Sequence, residues 1–530
     1  MAAFPQADLA VTGARIYTIN PANAIASAIA VRAGKILAVG EDVTPFLGPT
    51  TRKIDARGAT ILPGFIDSHG HMSGLGDGLE ILDLRGTKSE QEIADLVRKA
   101  ALGRKPGEWI RGRSWDQNNW PRRQFPTSAA ISAGAPDNPV YLTRVDGHAG
   151  WVNRKAMEIA GLTPETPDPP GGKLLHDAVS RQLTGVLIDR AQELVTRKIP
   201  MPTPGQVRER LRRAASECAR LGITTVHDAG VSAAELDQYR ALIQDHKLPV
   251  RVYAMIGGEG DLWRDYLERG PEIGERLTVR SVKLYADGAL GSRGAALKQA
   301  YSDDPGNTGL LMLQSKDIER VARDALAHGF QVNTHAIGDL ANRTVIEGYA
   351  TVLGGANDHR FRIEHAQVVS LEDIPMFQQY SIIASMQPTH ATSDMPWAEA
   401  RLGPERVKGA YAWRRFLSLG VHVANGSDFP VEDPNPLWGF YAGIARQERS
   451  GIPAGGWFPD QRMTRDEALR SWTIEGAYAG FEEKIKGSLE PGKLADFVLL
   501  SDDITRIPPA EILKTHVVMT VVGGEVVYAP

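Results

Sequence analysis

The chain has 530 residues, of which 42% are hydrophobic, 7% aromatic and 23% charged. At about 150 residues per domain this length predicts three to four domains, although a single α/β barrel can take up about 250 residues. The 60 Lys and Arg residues against 64 Asp and Glu leave a formal charge of -4, which excludes the basic surface of a nucleic-acid-binding protein. The single cysteine, Cys218, excludes an internal disulfide and a cysteine-rich metal site.

Short apolar runs at both ends of the chain are typical of β-meanders. At the start they cover 7–18, 28–31 and 35–39, and at the far end the strings ADFVLL, THVVMTVV and EVVY follow one another. Neither end is long enough to build a core alone. We therefore expect them to pair into one small β-sandwich, formed by residues 1–62 and 484–530.

The middle of the chain, residues 63–483, alternates short apolar runs with amphipathic segments of helical period. Eight such runs match the strands of a (β/α)8 barrel, so the sequence predicts an α/β fold built on a TIM barrel. The runs cover 63–67, 223–227, 250–255, 279–285, 330–335, 361–365, 382–386 and 421–424. About 150 residues separate the first two runs, whereas a barrel crossover takes about 30, so we expect an inserted subdomain at about 80–205, after strand 1.

The sequence shows no pattern of a targeting or membrane-spanning segment. Its first 20 residues lack a basic segment followed by an apolar one, and no window holds 18 uninterrupted apolar residues. We therefore expect a soluble, cytoplasmic protein that acts on a small molecule and has no nucleic-acid or membrane partner.

The first barrel strand ends in Asp67-Ser68-His69-Gly70-His71. Side chains alternate along a strand, so His69 and His71 share one face and can bind one cation. A His-x-His pair also occurs in ordinary loops, so this pair alone leaves both interpretations open.

The fourth strand carries Lys283 between Val282 and Leu284, with a parity that could point it into the barrel. One interpretation is a lysine that extends to the rim and keeps its charge in water. The other is a buried lysine beside a dication, where the neutral amine is favoured and can take up carbon dioxide to become a carbamate. A carbamate would make Lys283 an anionic bridging ligand.

Three more strands end in, or are followed by, residues of types that commonly bind metals. His335 ends the fifth strand, His365 ends the sixth, and Asp428 follows the eighth. Each histidine taken singly could be a hydrogen-bonded core residue, and Asp428 could cap a turn. Because a barrel gathers the carboxyl ends of its strands at one rim, where its active site lies, the coincidence of these features favours a metal centre.

Longer strings around these residues resemble the amidohydrolase superfamily. They are GFIDSHGHM, KLYADG, NTHAIGD, RIEHAQ and GSDFPVED at the strand ends, and the more specific DGALGSRGAAL, HAIGDLAN, MQPTH and RVDGHAGWVN. The last four resemble the YtcJ-like branch, which includes N-substituted formamide deformylases. The resemblance runs from one end of the chain to the other, and it implies a homodimer.

The resemblance implies a zinc-type centre of one or two divalent ions, which manganese, iron or cobalt could also fill. His69, His71 and Asp428 would hold the more buried ion and His335 and His365 the more exposed one. A carbamate of Lys283, formed with carbon dioxide, would bridge the ions. A metal-bridging hydroxide would attack the substrate, and Asp428 would carry its proton to the leaving group as the catalytic acid and base.

Further residues are candidates for substrate binding. Trp115, Asp116 and Trp120, in the predicted insertion, could wall an apolar pocket, although tryptophans serve equally well as packing anchors. Arg144 and His148 could orient a carbonyl. The remaining candidates, Arg293, Gln387 and His390, follow strands four and seven.

The function that this pattern predicts is the metal-dependent hydrolysis of carbon–nitrogen bonds other than peptide bonds. The substrate would be an amide, formamide or cyclic amide with an apolar or aromatic substituent on nitrogen. A deaminase or an ester hydrolase is the alternative, because a metal hydroxide does not select the leaving group. A non-catalytic scaffold protein is a further alternative, which all six filled ligand positions disfavour.

Overall fold

The computed structural model describes residues 4–117, 120–122, 124–144, 149–170, 172–258 and 260–530. The chain divides into two units. The first consists of Met1–Leu75 and Leu211–Pro530, and the second of Gly76–Arg210. The second unit occupies the place of the insertion that the sequence predicts at about 80–205.

Strands and helices are numbered here in chain order over the described residues. The strands are β1 (Leu9–Thr12), β2 (Arg15–Tyr17), β3 (Ile25–Ala26), β4 (Ala28–Arg32), β5 (Lys35–Gly40), β6 (Arg52–Asp55), β7 (Thr60–Pro63), β8 (Phe65–Gly70), β9 (Leu82–Asp83), β10 (Ile110–Trp115), β11 (Val140–Arg144), β12 (Ala149–Val152), β13 (Gly172–His176), β14 (Leu183–Asp189), β15 (Ile223–Val231), β16 (Arg251–Gly257), β17 (Glu272–Ile273), β18 (Leu277–Tyr285), β19 (Gln331–Ala336), β20 (Arg362–His365), β21 (Ile383–Met386), β22 (Val423–Asn425), β23 (Phe497–Leu500), β24 (Val517–Val522) and β25 (Glu525–Tyr528). The α-helices are α1 (Met72–Gly78), α2 (Glu90–Ala101), α3 (Ser128–Gly134), α4 (Arg154–Ala160), α5 (Glu193–Thr196), α6 (Pro204–Arg220), α7 (Ala233–Gln244), α8 (Leu262–Arg269), α9 (Ser315–Ala327), α10 (Asp339–Leu353), α11 (Ile374–Gln379), α12 (Pro388–Arg406), α13 (Trp413–Ser418), α14 (Pro436–Ala445), α15 (Arg465–Ser471), α16 (Ile474–Ala479) and α17 (Pro509–Ile512).

Eight parallel strands of the first unit form the predicted TIM barrel. They lie in the order β8, β15, β16, β18, β19, β20, β21 and β22, which is their order along the chain, with helices between consecutive strands from β15 onward. The strands are buried on both faces, as β15 and β16 illustrate, because helices cover the outside and side chains fill the inside. The predicted fold class is thereby confirmed.

Backbone and side-chain hydrogen bonds close the barrel where β22 meets β8. The backbone N–H of Asp428 donates to the carbonyl of His69 (2.7 Å), and that of His71 donates to the carbonyl of Phe429 (2.8 Å). Asp67 accepts hydrogen bonds from the hydroxyl of Ser427 (2.7 Å) and from its backbone N–H (3.0 Å). Three of the residues predicted to bind metal, His69, His71 and Asp428, therefore also lie on the seam between the first and the last strand.

Strands from both chain ends form two further sheets in the first unit. One has the order β5-β4-β1-β6 and the other β25-β24-β23-β7-β2-β3. In the second sheet β7 pairs antiparallel with β23, with Leu62 opposite Val498. Ile16, Ile61 and Phe497, all fully buried, belong to the apolar core to which the two sheets contribute.

The second unit has its own six-stranded sheet, in the order β13-β14-β12-β11-β10-β9. Strands β9, β10 and β11 are parallel, and β12, β13 and β14 pair antiparallel. Its core contains the rings of Trp115, Trp120 and Trp151, whose centroids lie 5.9–6.3 Å apart. Within the described ranges, no helix combines the length and the apolar character needed to cross a bilayer.

Candidate metal centre

The six residues predicted to bind metal come together at the carboxyl end of the barrel. His69 lies near the end of β8, Lys283 in β18, His335 in β19 and His365 at the last position of β20. His71 directly follows β8, and Asp428 lies three residues beyond the end of β22. His69, Lys283, His365 and Asp428 are buried, with 0%, 1%, 4% and 6% of their surface exposed. His71 and His335 are half-buried.

A first group of possible ligands consists of His69, His71 and Asp428. The Nε2 atoms of His71 and His69 lie 3.1 and 3.6 Å from Oδ1 of Asp428. The Nζ atom of Lys283 lies 3.4 Å from Nε2 of His69, so this amine faces the same group.

A second group consists of His365, His390 and the same Asp428. Nε2 of His390 lies 3.5 Å from Oδ2 of Asp428. The two imidazole rings are stacked, with centroids 5.9 Å apart and planes 19° apart. The two oxygens of one carboxylate thus face two different sets of imidazoles.

His335 lies beside the second group, with its ring centroid 4.6 Å from that of His365. Its Nε2 is 3.4 Å from Oδ1 of Asp287, a fully buried carboxylate. Asp287 also accepts hydrogen bonds from the backbone N–H groups of Ala296, Ile337 and Gly338. These bonds connect the loop after β18 to the loop after β19.

Three of these imidazoles have the ring nitrogen that faces away from the centre already engaged. The Nδ1 atom of His69 lies 2.5 Å from Oε2 of Glu364, that of His71 lies 3.0 Å from the carbonyl of Ala229, and that of His365 lies 2.8 Å from Oε1 of Gln387. In metalloproteins such contacts fix the tautomer and leave Nε2 as the ligand atom.

The centre also contains buried polar atoms that need a partner. Among the described residues, Nε2 of His335, Nε2 of His390 and Oδ1 of Asp428 are buried without a hydrogen bond. An unsatisfied buried polar atom is costly, and a divalent cation would satisfy several of these atoms at once. The residues present therefore fit a metal centre.

Burial and neighbouring charges determine the protonation of this centre. Burial, together with the adjacent Lys283, lowers the pKa of His69 to about 4, and burial lowers that of Lys283 itself to about 8. Burial alone would raise the pKa of Asp428, but His71 and three further imidazoles bring it below its ordinary value. Burial also lowers the pKa of His365, so near neutral pH the centre presents the Asp428 carboxylate, the neutral imidazoles of His69 and His365, and an amine that loses its proton readily.

An unusual backbone conformation orients two of these side chains. His365 has φ of 74° and Asp428 has φ of 59°, a left-handed conformation that is uncommon outside glycine. Gly426 makes the close approach of β22 to β8 possible, because a Cβ atom there would lie 2.5 Å from the backbone nitrogen of His69. Strained backbone of this kind is characteristic of functional sites.

The comparisons agree with this geometry. The model of the amidohydrolase family matches residues 52–528. The chain belongs to the amidohydrolase family.

Three relatives and one solved structure are similar to this amidohydrolase over nearly its whole length. Protein LONG AFTER FAR-RED 3 of Arabidopsis thaliana is 36% identical, over 98% of this chain and 92% of its own. Putative amidohydrolase YtcJ of Bacillus subtilis is 32% identical (97% and 98%), and N-substituted formamide deformylase of Arthrobacter pascens is 26% identical (98% and 98%). The crystal structure of an uncharacterized metal-dependent hydrolase from Pyrococcus furiosus superposes with a TM-score of 0.78, at 28% identity, over 94% of this chain and all of the other.

These findings confirm the resemblance to the YtcJ-like branch and identify the amidohydrolase as a hydrolase.

The predicted substrate residues of the second unit have partners within that unit. Trp115 is fully buried, and its indole N–H donates to the carbonyl of Leu142. Trp120 is 6% exposed. Arg144 donates to Oδ1 of Asp116 (2.8 Å). His148 lies outside the described residues, and a contact of any of these residues with substrate stays a prediction.

The three substrate candidates of the first unit lie in different settings. The guanidinium of Arg293 donates to the carboxylate of Asp303 (3.0 and 3.2 Å). Gln387, 3% exposed, uses its amide oxygen for His365. His390 faces Asp428 directly.

Two residues of the amidohydrolase centre are absent from the sequence-based candidates. Glu364 contacts His69, and the guanidinium of Arg362, fully buried, lies 3.4 Å from the other oxygen of Glu364. Arg362 also donates to Nδ1 of His227 (2.9 Å). Their parity in β20, two residues apart, was the available signal, since alternate residues of a barrel strand point inward.

Proposed function

We propose that this amidohydrolase is a metal-dependent hydrolase of carbon–nitrogen bonds in amides, formamides or cyclic amides. The observation that carries the proposal is the convergence of His69, His71, His365 and His390 on both oxygens of Asp428, with buried atoms that lack hydrogen-bond partners among the described residues. The same donor set suits zinc, and also manganese, iron or cobalt.

When bound, one or two divalent cations would supply a Lewis acid for the substrate carbonyl and would lower the pKa of the attacking water. His69, His71 and Asp428 would hold one of them. Glu364, Gln387 and the carbonyl of Ala229 keep three imidazoles turned toward the cation positions. Little reorganisation is then needed when the metal binds.

Asp428 is the proton carrier of this proposal. Its carboxylate stays ionised near neutral pH, because surrounding imidazoles lower its pKa despite burial. An oxygen of Asp428 would accept the proton of the attacking water and then pass it to the leaving nitrogen, which departs more readily as a neutral amine. One carboxylate thereby serves in two successive steps.

Lys283 is the proposed site of the carbamate. Burial lowers the pKa of this lysine to about 8, so a substantial neutral fraction exists near pH 7 to 8. Only the neutral amine adds to carbon dioxide. The product would place a carboxylate beside Nε2 of His69, which now lies 3.4 Å from Nζ.

We infer the proposed substrate class from one relative of the chain. The N-substituted formamide deformylase of Arthrobacter pascens, 26% identical over almost the whole chain, supports a formamide or another amide with an apolar or aromatic N-substituent. A screen of N-formyl amines, N-acyl amines, lactams, aminopurines and esters with the zinc-loaded chain tests this choice. Hydrolysis of amides supports it, whereas turnover of esters alone or deamination alone would overturn it. A chain that binds no dication and hydrolyses nothing after zinc is restored would instead be a scaffold.

A further inference from the structure

His390 is the one imidazole of the centre that follows strand β21. It lies at the third position of α12, and its backbone N–H donates to the carbonyl of Gln387 (3.1 Å). Its side chain is 10% exposed, and Nε2 points toward Oδ2 of Asp428. That nitrogen has no hydrogen-bond partner within the part of the chain that is described.

The spacing of the atoms matches that of ligands around one cation. Two ligand atoms about 2.1 Å from a zinc ion, at a tetrahedral angle, lie about 3.4 Å apart. The separation of 3.5 Å between His390 Nε2 and Asp428 Oδ2 fits this value, as do the 3.1 and 3.6 Å separations in the first group. Nδ1 of His365 is occupied by Gln387, which leaves Nε2 of that ring for the same cation.

The geometry points to His390 as a metal ligand. It would complete the second cation position with His365 and Oδ2 of Asp428. Oδ1 of Asp428 would belong to the first position, with His69 and His71. Asp428 would then offer one oxygen to each cation position. The junction of β21 and α12 would contribute twice, because Gln387 orients His365 and His390 would bind the ion. This inference rests on the metal centre of the proposed function.

Zinc titration of three full-length proteins tests the assignment. The proteins are the unaltered chain, His390→Gln and the control His422→Gln, whose histidine is half-exposed and paired with Glu475 away from the centre. Each is stripped with a chelator, reloaded with zinc, and titrated against a competing chelator, with circular dichroism to verify the fold. For His390→Gln we expect one class of zinc sites to weaken more than 100-fold, since changes to residues that only orient ligands already cost about 10- to 100-fold. We expect His422→Gln to match the unaltered chain.

If His390→Gln folds poorly, a second variant tests the inference through the appearance of a new absorption band. His390→Cys, loaded with cobalt(II), should show a thiolate-to-cobalt charge-transfer band, which His422→Cys should lack. Unchanged zinc affinities in His390→Gln, or no such band in a folded His390→Cys, would overturn the assignment. An unaltered chain that binds no zinc at all would instead overturn the proposed function.

Discussion

The contact between Glu364 and His69 allows a quantitative test of how the centre is oriented. In Glu364→Gln the side-chain shape is kept, but the charge that faces Nδ1 of His69 at 2.5 Å is lost. Burial alone would raise the pKa of Glu364, but Arg362 and His69 lower it to about 2, so the charge is present at neutral pH. Outer-layer residues of this kind typically contribute 10- to 100-fold to metal affinity. We expect a loss of about 1.4 to 2.7 kcal/mol of zinc binding.

The same substitution has a second cost, because it leaves Arg362 without its buried counter-charge. Both side chains are 0% exposed, and breaking such a pair typically destabilises a protein by about 3 to 5 kcal/mol. The measurements are the zinc dissociation constant by chelator competition and the free energy of unfolding of the metal-free chain. Glu483→Gln is the control, since it removes one of the two carboxylate partners of Arg360, whose side chain is 8% exposed, without touching His69. A zinc dissociation constant of Glu364→Gln within twofold of the control would refute the orienting role.

Four other outcomes are expected. Asp428→Asn should retain at least one zinc ion by elemental analysis but lose about 100- to 10,000-fold in kcat, and near-normal turnover would contradict its role as proton carrier. Chelation should lower the melting temperature, and zinc at about 100 times its Kd should restore about 2.7 kcal/mol, whereas identical melting curves would argue against a cation in the native state. Asp496→Asn should cost about 3 to 5 kcal/mol, because Arg251 pairs with Asp496 at 2.8 Å with both side chains 3% exposed. Burial alone would raise the pKa of Asp496, but Arg251 lowers it, so this contribution is complete above the ordinary value of 3.8 and is lost as pH falls through the lowered pKa; urea titrations at pH 7 and pH 3 should show the mutational difference shrink. Trp115→Ala should lower the free energy of unfolding, measured in urea, by about 3 to 5 kcal/mol. A variant of unchanged stability with an altered KM would instead indicate that Trp115 contacts substrate.

Strand alternation and strand ends were enough to predict the barrel and its rim. His69 and His71 lie two residues apart at the end of β8, and Lys283 is buried in β18 as its parity suggests. His390 was assigned to substrate, because nothing in the string MQPTH reveals that Nε2 would lie 3.5 Å from Asp428. That distance depends on how β21 and β22 align, which only the folded chain shows.

His365 illustrates a limit of parity arguments. Arg362 and Glu364 point into the barrel, so alternation would turn His365 outward. The left-handed backbone at His365, with φ of 74°, instead brings its ring to the same centre. A sequence pattern does not report such a conformation in a non-glycine residue. The substrate residues of the second unit and the implied homodimer stay predictions.

The seam between β8 and β22 joins two parts of the chain that are far apart in sequence and are therefore synthesised at different times. Asp67 and Ser427, which contact each other there, are separated by 360 positions. Contacts of such long range add to the entropy that folding must overcome and slow it. A growing chain that lacks Asp428 can complete neither group of ligands, so tight metal uptake would mark the moment at which synthesis has passed the last barrel strand. A cation held across the seam would then act as a reversible cross-link between the first strand and the last.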